Sequence, residues 1–376
     1  MKNVLIIKKS LGGGGAEKLL VDTLRFWDYN RYEVTLLTCD STGVYSTQLD
    51  PHVRVCQIRD IWSSIFLRNL FYLFPFLRRF IMAINYRRSR KVLGGNHYDI
   101  AISYLEGSSA SLHQGLLDLA TRNVTWVHSD LFANPWSRRY HINAESEMAF
   151  YKSVDEIVFV SEAARRQFDL YIPEHASTRV VYNLIAFNQV NEKAAAFQPE
   201  LGTPSIVSVG RLAHQKRFDR LIKSVRLLQE KGINVHVYIL GAGELMGSLE
   251  QLSAATRLTD SIHFLGFVPN PYPYIRAADL FVSSSDTEGY PLVVAEAMCI
   301  GKPIVATAVT GSTEMLSGGA GILVEPDEQA IADACAALLK DDIARAALGR
   351  MAQEAARERF DVKAYMDDFY RAIEGE

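Results

Sequence analysis

The sequence predicts an α/β protein made of two doubly wound domains facing each other across a cleft, and three observations predict it. Short, β-rich apolar runs alternate with helical patterns, as they do in parallel sheets whose strands are buried on both faces. The alternation occurs twice, and the polar stretch "FNQVNEKAAAFQPELGTP" separates the two series. Finally, 376 residues at 48% hydrophobic and 22% charged content suffice for about two domains with sizeable cores.

In the first series "NVLIIKKS", "YEVTLLTC", "YDIAISYL", "NVTWVHS" and "EIVFVS" read as strands bounded by turn residues. The second begins with "SIVSVGR" and continues through "NVHVYILG", "SIHFLGF", "ADLFVSSS", "KPIVATAV" and "AGILVEP". A helical segment from about Glu354 to Ile373 follows. These patterns place a first domain at 1–188, a second at 189–355, and a terminal helix at 356–376 that returns to the first domain. Ligands of open α/β sheets sit at the carboxyl ends of strands, so the motifs there carry the functional reading.

Composition removes several classes of function. A net charge of −3 gives no polyanion signature, so no nucleic-acid partner is expected. Cys39, Cys56, Cys299 and Cys335 form no CxxC pair, and the chain starts directly on a strand pattern, which together point to a reducing cytoplasm. No apolar run reaches the roughly 18 to 20 residues of a membrane-spanning helix.

The first strand gives way to Gly12, Gly13, Gly14 and Gly15 and then a helix. Glycines let backbone approach a ligand closely, and helix amides suit phosphate or sugar oxygens; the bland alternative is a flexible turn. No Gly-Lys-Ser/Thr follows, so this is not a P-loop, and the dinucleotide spacing is missing. In "SVGRLAHQKRFDRLI", Arg211, Lys216 and Arg217 occupy one strand-to-helix loop, where a guanidinium fork and an ammonium can neutralise a diphosphate without a metal. A solvated basic loop is the alternative. "YILGAGE" sets Gly241 and Gly243 in another close-approach turn.

"TEGYPLVVAEAM" places Glu288 in a loop after a strand, Pro291 at the first helical position and Glu296 on the second helical turn. A helix N-terminus attracts phosphate, but two carboxylates repel it, so hydroxyls are the partners these glutamates fit. Hydroxyls of a sugar at one end, a diphosphate in the middle and a ribose at the other describe a nucleotide sugar. Taken alone, Glu296 also fits a surface glutamate. "TWVHSD" puts His128 at a strand end facing the cleft, where a core histidine is the alternative, and "SYLEGSSA" puts Glu106 at the preceding strand end.

In order along the chain, "LGGGGAE", "WVHSD", "VSEAARRQF", "VYNLIAF", "VGRLAHQKRFD", "ILGAGE", "FLGFVPN" and "EGYPLVVAEAMCIGKPIVAT" resemble the motif series of the retaining family 4 glycosyltransferases, whose two Rossmann-like domains form the GT-B fold. The resemblance implies that Glu288 holds donor-sugar hydroxyls and Glu296 the ribose. Arg211 and Lys216 would bind the diphosphate with the amides of Gly289, Tyr290, Pro291, Leu292 and Val293, a set in which Pro291 brings no N–H. Gly14 and Gly15 would lie by the donor phosphate, with Gly12, Gly13 and Glu106 on the acceptor side. Phe267 and Val268 would lie by the base, and His128 near the transferred sugar. No D-x-D is present to hold a divalent ion, and the expected reaction uses neither metal nor cofactor. The implied chemistry is front-face transfer with retention of configuration, the donor being a UDP-sugar or, less favoured, a GDP-sugar such as GDP-mannose.

Residues Ile61 to Lys91 interleave large apolar side chains with Arg68, Arg78, Arg79, Arg87, Arg88, Arg90 and Lys91, which suits the headgroup layer of an anionic membrane. The alternative is helices packed on the sheet. A lipid-linked glycan acceptor and a place at the inner face of the cell membrane, in assembly of bacterial surface polysaccharide or glycolipid, follow as expectations. The competing readings are a non-catalytic sugar-nucleotide-binding protein of the same fold and a nucleotide-sugar epimerase.

Overall fold

A computed structural model describes residues 1–12, 14–40, 43–58 and 76–376. The chain divides into two compact units, Met1–Leu184 with Lys363–Glu376, and Ile185–Val362.

In the first unit the described strands are β1 (Lys2–Ile7), β2 (Tyr32–Thr38), β3 (Arg54–Gln57), β4 (Tyr98–Ser103), β5 (Ala120–Val127), β6 (Glu156–Phe159) and β7 (Ser177–Val180). They form one parallel sheet in the order β3-β2-β1-β4-β5-β6-β7. Val4 pairs with Val34 on one side and with Ile100 on the other. Residues Val4 to Ile7 are fully buried, as their unbroken apolar run requires of a strand covered on both faces. Because β2 and β4 flank β1, connections leave it in opposite directions, and a crevice opens outside its carboxyl end.

The second unit repeats the plan with β8 (Ser205–Val209), β9 (His236–Leu240), β10 (Ile262–Gly266), β11 (Leu280–Ser283), β12 (Ile304–Thr307) and β13 (Ile322–Val324). Its parallel order is β10-β9-β8-β11-β12-β13, so β8 marks the same kind of switch. Helix Phe218–Glu230 buries Phe218, Leu221, Ile222, Val225 and Leu228, a stripe at helical spacing against the core that Ile206, Val237 and Ile239 share.

Three local features differ from the sequence reading. The C-terminal helical segment is two helices, Asp342–Arg359 and Val362–Glu374, broken at Phe360 and Asp361. The second of them belongs to the first unit, where Phe369 stacks on Trp126 at 4.9 Å and the Tyr365 hydroxyl lies 3.0 Å from Thr23 Oγ1. The unit boundary therefore falls at 362/363 rather than 355/356, because the stripe Tyr365, Phe369, Ile373 buries with residues of the first sheet. Pro291 caps helix Leu292–Ile300 instead of occupying its first turn, its ψ of 104° being extended.

Candidate active site

In the second unit, the loops after β8, β9 and β11 converge. The carboxylate of Glu288 accepts at Oε1 from Lys216 Nζ at 2.5 Å and from Ser285 Oγ at 2.6 Å, and Glu288 is only 7% exposed. Around that pair the two loops are stitched together. The Asp286 amide donates to the Gln215 carbonyl at 2.9 Å, Gln215 Nε2 to the Thr287 carbonyl at 2.7 Å, and Ser284 Oγ to the Lys216 carbonyl at 3.0 Å. Arg217 and Arg220 both bind Asp286. Such a network fixes where Lys216 and Glu288 point.

Arg211 differs, with a side chain 72% exposed and only a 3.5 Å contact to Glu244, an ion pair of little energetic weight. Its guanidinium is available to a ligand. Leu292 and Val293 open helix Leu292–Ile300, and first-turn amides have no acceptor within their own helix; with the helix dipole they favour an anion. Gly289, Tyr290 and Pro291 are buried, and burial pushes the Tyr290 hydroxyl up to about 12. Glu296 is 3% exposed and accepts from the Tyr272 hydroxyl at 2.9 Å, which excludes the surface-glutamate alternative. Phe267 is exposed and Val268 partly so, just past β10.

Gly241 and Gly243 meet chain rather than open space. A Cβ on Gly241, whose φ is +150°, would lie 1.8 Å from the Gly210 carbonyl oxygen, and one on Gly243 2.3 Å from that of Leu212. Hydrogen bonds from the Gly210 amide to the Leu240 carbonyl and from Leu212 to Ala242 run between the same segments. These glycines therefore let the loops after β8 and β9 lie backbone against backbone.

In the first unit, Gly14 caps helix Gly15–Arg25 in extended conformation, and Gly12 has room for a side chain; Gly13 lies outside the described residues. Buried Lys8, at the end of β1, pairs with Glu17 at 2.8 Å. Buried Glu106 accepts at Oε2 from the His128 amide at 2.9 Å and at Oε1 from Ser129 Oγ. Burial raises its pKa, while the Ser129 hydroxyl and the His128 amide pull it down. The His128 imidazole stacks obliquely on Tyr104 at 5.3 Å. Its Nε2 is sealed from solvent without a hydrogen-bond partner among the described residues. Burial, reinforced by the Lys8 charge, pushes this imidazole down to about 3, so it is neutral at physiological pH. By contrast His113 is a satisfied core histidine between Ser103 and Asn123.

Residues 13–188 match the model of glycosyltransferase family 4, and residues 190–355 match that of the glycosyl transferases group 1. The chain belongs to this glycosyltransferase family. An uncharacterized glycosyltransferase of Methanocaldococcus jannaschii is 30% identical to this chain over 175 residues, 44% of this chain and 43% of that one. The chain spans about half the length of the first curated relatives it matches. Over 98% of both chains it is 24% identical to a Campylobacter jejuni N-acetylgalactosamine-N,N'-diacetylbacillosaminyl-diphospho-undecaprenol 4-alpha-N-acetylgalactosaminyltransferase. Anabaena HepE in complex with UDP-glucose superposes with a TM-score of 0.79 at 21% identity, covering all of both chains. That likeness establishes the GT-B fold with two Rossmann-like domains.

Three residues beside the candidate residues of the two units had no separate signal in the sequence. Ser285 shares the Glu288 carboxylate, and its place in an ordinary serine run gives nothing away. Gly311 presses on the 288–289 loop: its amide donates to the Glu288 carbonyl at 2.8 Å, and a Cβ there would meet the Gly289 carbonyl at 2.4 Å. Lys8 reads as a surface lysine beside Lys9, yet it is buried and paired with Glu17.

Proposed function

We propose that the transferase moves a sugar, with retention of configuration and without a metal, from a nucleoside-diphosphate sugar to a glycan acceptor. The Lys216–Glu288–Ser285 cluster carries this reading: a cation and a hydroxyl-seeking carboxylate are held together at the ends of β8 and β11. Arg211, Lys216 and the first-turn amides of Leu292 and Val293 take the diphosphate, and Glu288 takes sugar hydroxyls. Glu296 holds the ribose while Tyr272 fixes its carboxylate, and Phe267 and Val268 lie by the base. Complexes of HepE with UDP and with UDP-glucose support a UDP-sugar over a GDP-sugar.

The N-terminal unit binds the acceptor, with Gly12, Glu106 and His128 as its working residues. His128, a neutral imidazole, lies by the transferred sugar without adding charge. In the transfer, the acceptor hydroxyl oxygen bonds to the anomeric carbon on the face from which the C–O bond to diphosphate breaks. The departing oxygen takes the hydroxyl's proton, and Arg211 and Lys216 stabilise the charge that develops on it. No carboxylate is assigned as nucleophile.

Support for a lipid-linked acceptor in surface-polysaccharide assembly comes from the diphospho-undecaprenol substrate in the C. jejuni relative's name and from lipopolysaccharide, O-antigen and capsule roles in the names of others. On helix Phe76–Leu93, Arg79, Phe80, Arg87, Arg88 and Lys91 are exposed, with Phe80 67% accessible, which suits an anionic membrane surface. Residues 61–75 of the segment singled out above lie outside the described residues. No helix among the described residues is long and apolar enough to cross a membrane. The test is UDP binding by Arg211→Ala and Lys216→Ala: each should weaken it roughly tenfold or more, as loss of a charge-assisted contact does. Unchanged binding in both would remove the diphosphate assignment.

A further inference from the structure

One residue of the loop after β8 breaks two local rules at once. Arg217 lies between the tight turn His214–Lys216 and helix Phe218–Glu230 with φ 49° and ψ 43°, the left-handed region. In that region a Cβ crowds the following carbonyl, so residues other than glycine seldom take it. Among the described residues, Arg217 and Arg257 are the non-glycine residues with positive φ. Arg217 also stands at the N-cap of the helix, where Ser, Thr, Asp or Asn is favoured, and its side chain makes no capping hydrogen bond. Backbone strain of this kind persists where the surrounding structure enforces it.

The guanidinium supplies the enforcement. Its Nε and Nη2 donate as a fork to Asp219 at 3.0 and 3.1 Å, and its Nη1 donates to Asp286 at 2.9 Å. Asp219 is in the first turn of the helix, while Asp286 follows β11 and precedes Glu288 by two residues. The same spot is tied through its backbone, because Ser284 Oγ lies 3.0 Å from the carbonyls of both Lys216 and Arg217. Arg217 thus fastens the residue next to Lys216 to the segment that carries Glu288. Arg220 also binds Asp286 and the Ser284 carbonyl, each at 2.7 Å, but from within the helix, which anchors the helix rather than the turn before it. The Arg217 side chain is 32% exposed and its partners Asp219 and Asp286 are 34% and 40% exposed, so these pairs add little to the stability of the fold. What they contribute is direction: Lys216 Nζ stays 2.5 Å from Glu288.

We propose that Arg217 is a positioning residue of the donor site, holding the left-handed turn that aims the Lys216 ammonium at the diphosphate while touching no ligand itself. The proposal rests on the transferase reading of that site. It separates Arg217, whose donors are engaged by two carboxylates, from the exposed Arg211 in the same loop.

The experiment is calorimetric titration of the full chain with UDP, with a melting curve for each sample, in wild type, Arg217→Gly, Arg217→Lys, Lys216→Ala and the double variant of Lys216→Ala with Arg217→Gly. Glycine takes the left-handed turn freely, so Arg217→Gly should melt within a few degrees of wild type. It should nonetheless bind UDP about three- to tenfold more weakly, the scale of losing the preorganisation of one long side chain. Arg217→Lys should weaken binding to the same degree, because it keeps the charge but not the planar fork. In the Lys216→Ala background the glycine change should add less than about twofold, since a residue that acts through another has nothing left to act on. Unchanged affinity in Arg217→Gly, wild-type affinity in Arg217→Lys, or the full factor recurring in the double variant overturns the proposal. Any of these in a protein whose wild type binds UDP removes this proposal alone, whereas wild type that binds no UDP removes the transferase reading beneath it.

Discussion

Replacing Glu288 with glutamine keeps the size of the side chain and an oxygen for Ser285 Oγ, now 2.6 Å away, but deletes the negative charge 2.5 Å from Lys216 Nζ. Two effects with opposite signs follow. The sugar loses an ionised acceptor for its hydroxyls, and a hydrogen bond to a charged group is worth roughly 1.5–3 kcal/mol, so kcat/KM should fall on the order of 10- to 100-fold. Meanwhile Lys216, largely shielded from solvent, is no longer neutralised by a carboxylate and should attract the product diphosphate at least as strongly as before. Transfer and product binding should therefore move apart. A coupled assay of released nucleoside diphosphate gives the first quantity, and calorimetric titration with UDP gives the second. Turnover within about threefold of wild type, or UDP binding that weakens in step with turnover, would refute the assigned roles.

Gly241→Ala should destabilise the protein by about 1–3 kcal/mol or more, because a Cβ would collide with the Gly210 carbonyl at a φ of +150°; a melting temperature equal to wild type would contradict the backbone contact. Burial holds His113 and His141 at about 4 in the folded chain, against 6.5 unfolded. Between those values the unfolded state binds more protons, so stability should fall as pH drops from 6.5 toward 4, by up to about 1.4 kcal/mol per pH unit for each histidine. Urea titrations at several pH values should show that slope, reduced in His141→Leu, whose native imidazole has no hydrogen-bond partner among the described residues; a flat profile would contradict it. In co-sedimentation, wild type should pellet with vesicles containing anionic lipid, less so at high salt, while the variant with Arg78, Arg79, Arg87 and Arg88 changed together to serine should stay in solution. Wild type remaining in the supernatant would remove the membrane reading.

The central strands could be read from the sequence because burial on both faces forces an unbroken apolar run, as in Val4 to Ile7. Two edge strands could not. Arg54–Gln57 and Ser177–Val180 each have one neighbour in the sheet and carry charged or hydroxyl side chains that resemble loop. The break at Phe360 and Asp361 was hidden for another reason: good helix formers continue on both sides, and the stop comes from where the last helix packs.

Within the site, residue types and spacings were legible and long-range pairings were not. The spacing of Glu288 and Glu296 marks the loop and helix, but nothing local announces that Lys216, 72 positions away, holds one glutamate or that Tyr272 holds the other. Gly241 and Gly243 read as glycines that let backbone approach a ligand, whereas the backbone of residues 210–212 that they lie against appears only in three dimensions. Glu106 is the sharpest case. A strand-end glutamate is ordinarily solvated, whereas this one is buried and bonded to the His128 amide.

Central to the account is sugar transfer from a nucleoside-diphosphate sugar whose leaving charge is balanced by Arg211, Lys216 and helix amides. The measurement that tests it most directly offers the purified protein a panel of UDP- and GDP-sugars in excess EDTA and follows release of the nucleoside diphosphate. The account predicts release from at least one UDP-sugar, undiminished by the chelator. No release from any donor, or release that appears only when magnesium or manganese is supplied, would contradict it.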